Sequence, residues 1–245
     1  MKRHRQVAGF ILAGGTSSRM GRDKGLLEFD DVPLLLHTAR LLESLVAEVT
    51  VVGSARRYAA LGVRVIADEA AAGKRARAGA SRNGCGPLAG IAAALSATRF
   101  RWNLIVACDM PYLSAEWLDW LLSRAVRSSG QAVVPRSVYG LEPLAAVYRR
   151  ECATPIATTL ARGVRKVTDA LDDLRLDLVY PRDWRHLDSA GLVLKNMNAP
   201  RDYEEALNWW RTSDRHTARA STVPHVTSAR QAPQRTRRSV PRRRK

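Results

Sequence analysis

The feature that most constrains this chain is an alternation. Short apolar runs, Val7 to Leu12, Val49 to Val52, Val63 to Ala67, Asn103 to Cys108 and Ala132 to Pro135, are separated by stretches with helical spacing. "LEPLAAVY" reads as one more strand. In "PLLLHTARLLESL", Leu34, Leu35, Thr38, Leu41, Leu42 and Leu45 fall on one face, with Pro33 near the first turn, where its missing N–H costs nothing. "SAEWLDWLLSRAV" opens with Ser114 as N-cap and Glu116 at the positive end of the helix. "PRDYEEALNWWR" aligns Tyr203, Ala206, Leu207 and Trp210 on one stripe. Strands alternating with helices in this way predict an α/β fold whose mostly parallel sheet is covered on both faces. The 245 residues, 46% of them hydrophobic, are enough to bury one such core.

Ligands of such sheets bind beyond the carboxyl ends of the strands, so the residues just after each strand are candidates. They are Gly14 and Gly15 after the first strand, Asp68 after the third and Asp109 after the fourth. The first of these loops, "LAGGTSSRMGRDK", combines a glycine turn with Arg19, Arg22 and Lys24. Glycines directly after a strand let backbone N–H groups approach an anion, because no Cβ stands in the way. Arginine adds a planar fork for phosphate oxygens and lysine a movable point charge. The loop matches neither G-x-x-x-x-G-K-[ST] nor G-x-G-x-x-G, which disfavours a P-loop NTPase and a dinucleotide-binding dehydrogenase. By spacing alone, a phosphate cradle and a solvated basic loop beside a tight turn both remain open.

Charge and cysteine usage narrow the classes further. The net charge is +17, but nine arginines and one lysine against the single acid Asp214 place about half of it between Thr212 and Lys245. That segment has no Leu, Ile, Met, Phe, Tyr or Trp, so it cannot bury the apolar area needed to offset ordering and is expected to be a disordered tail. Residues 1–211 then form the folded domain. Ala70 to Gly84, with Lys74, Arg75, Arg77 and Arg82, reads as a basic surface loop. No apolar run approaches the roughly 20 residues of a membrane span. The basic N-terminus runs through a short apolar stretch straight into the Gly/Ser/Arg loop, so secretion is not expected. Cys85, Cys108 and Cys152 show no C-x-x-C spacing, which fits a reducing cytoplasm and gives no zinc site. Cys108 sits in a strand, where a small buried thiol is the simpler reading than a nucleophile.

"LAGGTSSRMGRDKGLLEF", followed in order by "VIADE", "GPLAGI", "CDMPYL", "EPLAAVY" and "NMNAP", closely resembles the molybdenum cofactor guanylyltransferase family, MobA. The resemblance runs from about Val7 to Arg211 and implies a three-layer, Rossmann-like nucleotidyltransferase fold. The implied reaction transfers GMP from GTP to the terminal phosphate of molybdenum-bound molybdopterin and releases pyrophosphate. Carried over by position, Leu12, Ala13, Gly14 and Gly15 would contact the nucleotide, and Lys24 and Arg19 its phosphates. Asp68 matches a nucleotide-binding aspartate, and Asp109 matches the one that binds both Mg²⁺ and GTP. "GPLAG", Gly86 to Gly90, would bring a helix start beside the nucleotide. A cytoplasmic monomer is expected, with molybdenum insertion proteins and molybdoenzyme chaperones as candidate partners. Three departures stand out: Gly53 where the family often has Asn, Ala199 where Thr is usual, and a longer, more basic loop at 70–84.

Each candidate also has a structural reading. Asp109 can cap the turn toward Pro111, although a carboxylate ending an apolar strand otherwise needs a cation. One carboxylate can suffice for Mg²⁺, which is often completed by substrate phosphates and water. Asp68 can simply start a turn. Asn196 and Asn198 can cap the last helix or touch substrate. His37 lies among leucines and reads as packing. An attacking phosphate is mostly dianionic at neutral pH, with a second pKa of about 6, so no general base is required. Rival readings are a molybdopterin cytidylyltransferase, which tends to carry "LAAG", and a sugar-phosphate nucleotidyltransferase. A nucleic-acid binder acting through the tail is a third, although the core has no recognisable module for specific binding.

Overall fold

The computed structural model describes residues 3–14, 21–67 and 86–212. The chain enters through strand β1 (His4–Ala13), passes a 3₁₀ turn at Lys24–Leu26, and makes a small ribbon of β2 (Glu28–Phe29) and β3 (Val32–Pro33). Helix α1 (Leu34–Glu43), strand β4 (Val46–Gly53), the short helix α2 (Ala55–Tyr58) and β5 (Val65–Ile66) follow. Then come α3 (Pro87–Ala97), β6 (Trp102–Ala107), α4 (Ala115–Arg127), β7 (Ala132–Ser137), β8 (Gly140–Leu141) and β9 (Ala145–Arg149). The described residues close with α5 (Ala153–Ala161), α6 (Val167–Ala170), β10 (Leu176–Val179), α7 (Pro181–Trp184) and α8 (Pro200–Thr212).

The main sheet has the order β10-β7-β9-β6-β1-β4-β5, with β8 paired to β7. β1 lies parallel to both β4 and β6, β4 to β5, and β7 to β10. Only β9, between β6 and β7, and the short β8 run the other way. On one face α1 and α4 pack Leu35, Leu42, Trp117, Leu118 and Leu121 against Ile11, Val51 and Val106. On the other, α3, α5 and α6 pack Leu88, Ile91, Ile156 and Val167 against Phe10, Ile105 and Val134. Two helical layers over a mostly parallel sheet are what the alternation predicts. The carboxyl ends of β1, β4 and β6 come out along one edge.

Several local expectations hold. All six α1-face positions are buried, Leu45 just past the helix end among them. Ser114 Oγ accepts from Trp117 N at 3.3 Å. His37 packs edge-on against Trp210 and its Nε2 donates to Phe29 O at 2.7 Å, as a packing residue should. "LEPLAAVY" differs: it is not one strand but two pieces separated by Glu142–Leu144, because Pro143 has no N–H to give a ladder. The third strand is shorter than its apolar run and keeps only Val65–Ile66. β10 was not visible in the sequence because it is an edge strand only half buried at Leu176–Leu178, with Asp177 turned to Arg124 at 2.8 Å.

Candidate active site

The site grows from three crossings of the carboxyl edge. β1 ends in Leu12 and Ala13, both buried, and delivers Gly14 to the surface. Leu12 O accepts from Cys108 N at 3.1 Å, which holds the exits of β1 and β6 together. Behind them, a Cβ on Gly90 would stand 3.3 Å from Leu12 Cδ1, so the "GPLAG" start of α3 packs directly on the end of β1. Gly86, with φ 78 and ψ 174, holds a conformation open essentially to glycine and lets Pro87 begin α3 there.

Lys24 comes from the second crossing. Asp23 Oδ1 accepts from Gly25 N at 3.0 Å and starts the 3₁₀ turn, so the lysine projects from a closed turn. Its Nζ donates to Asp109 Oδ2 at 2.8 Å and to Asn198 Oδ1 at 3.0 Å. The Lys24 and Asp109 side chains are 17% and 18% exposed, open enough for a ligand and dry enough for the pair to matter. Asp109 Oδ1 makes no hydrogen bond among the described residues. No group of three or more His, Cys, Asp or Glu suited to a metal occurs among the described residues. A lone carboxylate with an open oxygen is a donor set that fits Mg²⁺, whose remaining ligands are commonly phosphate oxygens and water.

The third crossing is the C-terminal segment. Met197 N donates to Asp109 O at 2.9 Å, so "NMN" lies along "CDMP". Trp210 Nε1 donates to Pro111 O at 2.9 Å and Tyr203 OH to Glu28 O at 2.7 Å, so α8 braces both the Asp109 and the Lys24 segments. Asn198 is thereby a partner of Lys24, and neither asparagine side chain caps α8. Asp202 does so, accepting from Asn198 N and Ala199 N at 2.7 and 2.8 Å, and those bonds hold its carboxyl below the usual aspartate range. The "NMNAP" motif named the segment, but not its pairing with a lysine 174 residues away. Cys108 is buried, and burial followed by the Asp109 charge pushes its thiol up, which removes it as a nucleophile.

Of the site residues predicted from sequence, Lys24 and Asp109 meet directly, and Leu12, Ala13 and Gly14 lie at the adjoining end of β1. Gly15, Arg19 and Asp68 lie outside the described residues, as do the basic loop at 70–84, Cys85 and the tail beyond Thr212. The Gly53 departure has a local reason. Gly53 sits beside Ala13 in the β1–β4 register, and a Cβ there would stand 2.5 Å from Ala13 O, so this backbone admits no asparagine.

The model of the MobA-like NTP transferase domain matches residues 9–174, which is more than half of the chain. The chain belongs to the MobA-like NTP transferase family. Among curated proteins, it is 36% identical over 203 residues to the probable molybdenum cofactor guanylyltransferase of Pelotomaculum thermopropionicum, covering 82% of this chain and 92% of that protein. It is 33% identical over 193 residues to the molybdenum cofactor guanylyltransferase of Pseudomonas aeruginosa, covering 78% and 89%. The crystal structure of molybdopterin-guanine dinucleotide biosynthesis protein A from Archaeoglobus fulgidus superposes with a TM-score of 0.70 at 22% identity, covering 84% of this chain and all of that one. That likeness establishes the shared Rossmann-like nucleotidyltransferase fold. The MobA-like match spans β1 through α6 and includes Lys24 and Asp109, while Asn198 and α8 lie beyond it.

Proposed function

We propose that this chain transfers GMP from GTP to the terminal phosphate of molybdenum-bound molybdopterin, giving the guanine dinucleotide cofactor and pyrophosphate. The observation that carries the reading is the meeting of Lys24 with Asp109 at the carboxyl edge, in a chain whose relatives bear that activity in their names. In the reaction an acceptor phosphate oxygen forms a bond to the α-phosphorus of GTP. The bond from that phosphorus to the bridging oxygen breaks, and the electron pair leaves with pyrophosphate. No proton need move, which agrees with a site built from a cation and a carboxylate and without a histidine base.

The work assigned to this chain is binding, alignment and charge. Backbone groups at Leu12, Ala13, Gly14 and Gly15 hold the nucleotide over the first turn, and Arg19 and Lys24 take its phosphates. Asp68 is assigned a contact with the nucleotide. Asp109 would hold Mg²⁺, which supplies positive charge to the triphosphate and lowers the repulsion between two anions. Lys24 leaves Asp109 for the phosphates when the nucleotide arrives, so the apo ion pair keeps both groups oriented for exchange. Asn198 stays beside the lysine on the side from which α8 braces the site. The working unit is residues 1–211, a monomer in the cytoplasm that hands its product to molybdenum insertion proteins and molybdoenzyme chaperones. No helix among the described residues is long and apolar enough to cross a membrane.

The test is label transfer from each of the four α-labelled NTPs to molybdenum-loaded molybdopterin in the presence of Mg²⁺. Label in a pterin dinucleotide from GTP alone is expected. Transfer from CTP instead would make the protein a cytidylyltransferase, and transfer from none would end the nucleotidyl reading.

A further inference from the structure

Tyr58 is buried to 1% exposure at the end of α2, yet its hydroxyl reaches out of the core. It stands 2.9 Å from each carboxylate oxygen of Asp23, so one O–H donates to a carboxylate that already caps the Lys24 turn. Arg57, half exposed on the same short helix, adds a contact to Asp23 Oδ2 at 3.1 Å. Burial, with the neighbouring Cys108 and Asp23, pushes the phenol well above its ordinary range, so it stays a donor. The ring lies against the end of β4, where a Cβ on Gly53 would stand 3.2 Å from Tyr58 Cε2. A side chain at 53 would therefore crowd the tyrosine as well as striking Ala13 O. Glycine at that position leaves the ring its path from the core to Asp23.

We propose that Tyr58 is a positioning residue for Lys24, acting through Asp23, and that Gly53 is the residue that makes room for it. This rests on Lys24 being the phosphate-binding cation. The chain of contacts runs from the sheet edge at Gly53, through the Tyr58 ring and hydroxyl, to the Asp23 carboxylate, the Gly25 amide and the turn that aims Lys24 at Asp109 and Asn198. A hydrogen bond to a charged acceptor is among the stronger kinds, and Asp23 loses its most buried partner if the hydroxyl is removed. The Tyr58→Phe variant keeps the ring and its packing, so it isolates that bond.

The test has two arms on the full-length protein. In the first, Lys24 is acetylated with acetic anhydride without any ligand, and modification is followed by mass spectrometry. Tyr58→Phe is expected to raise the Lys24 rate several-fold while Lys166, which pairs with Asp169 instead, keeps its own; an unchanged Lys24 rate overturns the proposal. In the second, GTP affinity with Mg²⁺ is measured by calorimetry for a double-mutant cycle. Tyr58→Phe is expected to weaken binding about tenfold in the wild-type background and by less than about twofold in Lys24→Ala, because the tyrosine has nothing left to position. Equal effects in both backgrounds would show a merely structural tyrosine and overturn the proposal. A wild-type protein that binds no GTP would refute the guanylyltransferase reading, and the acetylation arm would still decide the role of Tyr58.

Discussion

Replacing Asp109 with Asn separates what this residue does for the fold from what it does for the reaction. The carboxylate pairs with Lys24 at 2.8 Å, with both side chains slightly under one-fifth exposed. At an effective dielectric of about 20, the gross attraction at that distance is about 6 kcal/mol, most of it offset by the desolvation of both ions. Pairs at the surface are worth about 0–1 kcal/mol, and breaking a fully buried pair costs about 3–5 kcal/mol. Asparagine is isosteric and still offers Lys24 an acceptor oxygen, so a net loss of about 1 kcal/mol is expected, or a fall of roughly 2–4 °C in Tm for a chain of this size. The backbone ties around the residue, Met197 N to Asp109 O at 2.9 Å and Cys108 N to Leu12 O at 3.1 Å, do not involve the side chain and survive. Loss of the proposed metal ligand should reduce magnesium-dependent GMP transfer by at least about 100-fold, close to 2.7 kcal/mol in the barrier. The assay pairs differential scanning fluorimetry with label transfer from GTP under saturating Mg²⁺. Turnover within about threefold of wild type, less than 1 kcal/mol of barrier, would refute the catalytic assignment. A melting point lowered by more than about 10 °C would instead make Asp109 a structural residue, since that exceeds what one such pair can supply.

Other perturbations probe the scaffold. Gly53→Ala should destabilise the protein by about 1–3 kcal/mol in a denaturant titration, because its Cβ would sit 2.5 Å from a backbone oxygen that cannot move aside; an unchanged midpoint would mean that β1 and β4 separate easily. Trp210→Phe keeps an aromatic ring beside Phe29 but loses the bond to Pro111 O, so about 1 kcal/mol of stability should go, and a neutral variant would show that α8 holds the Asp109 turn by packing alone. Burial raises the titration of Tyr58, Cys108, Tyr148 and Cys152 above their ordinary values. The native state then keeps those protons longer than the unfolded chain does, so stability is fully present below about pH 9 and falls as pH rises beyond the unfolded values of about 9 to 10. Melting curves flat between pH 8 and 11 would contradict that burial. Deleting residues 213–245 should leave GMP transfer unchanged; a deletion that abolishes it would give the tail a direct part in the reaction.

Most of the architecture was legible because it rests on apolar periodicity. The runs that became β1, β4 and β6 are continuous and buried on both faces, and the leucine stripe of α1 has one orientation that buries it. Periodicity failed where burial is partial: β10 alternates with an aspartate at the sheet edge, and Pro143 splits what reads as one strand. At the site, the glycine turn, Lys24 and Asp109 could be found from their places after strands. Their pairing could not, because it joins residues 85 apart through a turn whose geometry depends on Asp23. Asn198 was visible as a candidate helix cap or substrate contact, and its bond to Lys24 was not, because that depends on α8 being stapled by Tyr203 and Trp210. Tyr58 gave no sequence signal, since nothing in the four-residue helix says that its ring will pass a glycine at the end of β4 to reach a carboxylate 35 residues away.

The most direct measurement is a crystal structure of the protein with a non-hydrolysable GTP analogue and Mg²⁺. The triphosphate should lie over the turn after β1, with the metal on Asp109 and Lys24 Nζ moved from that carboxylate onto phosphate oxygens. A bound nucleotide elsewhere, with Lys24 and Asp109 still paired at their apo distance of 2.8 Å, would contradict the account.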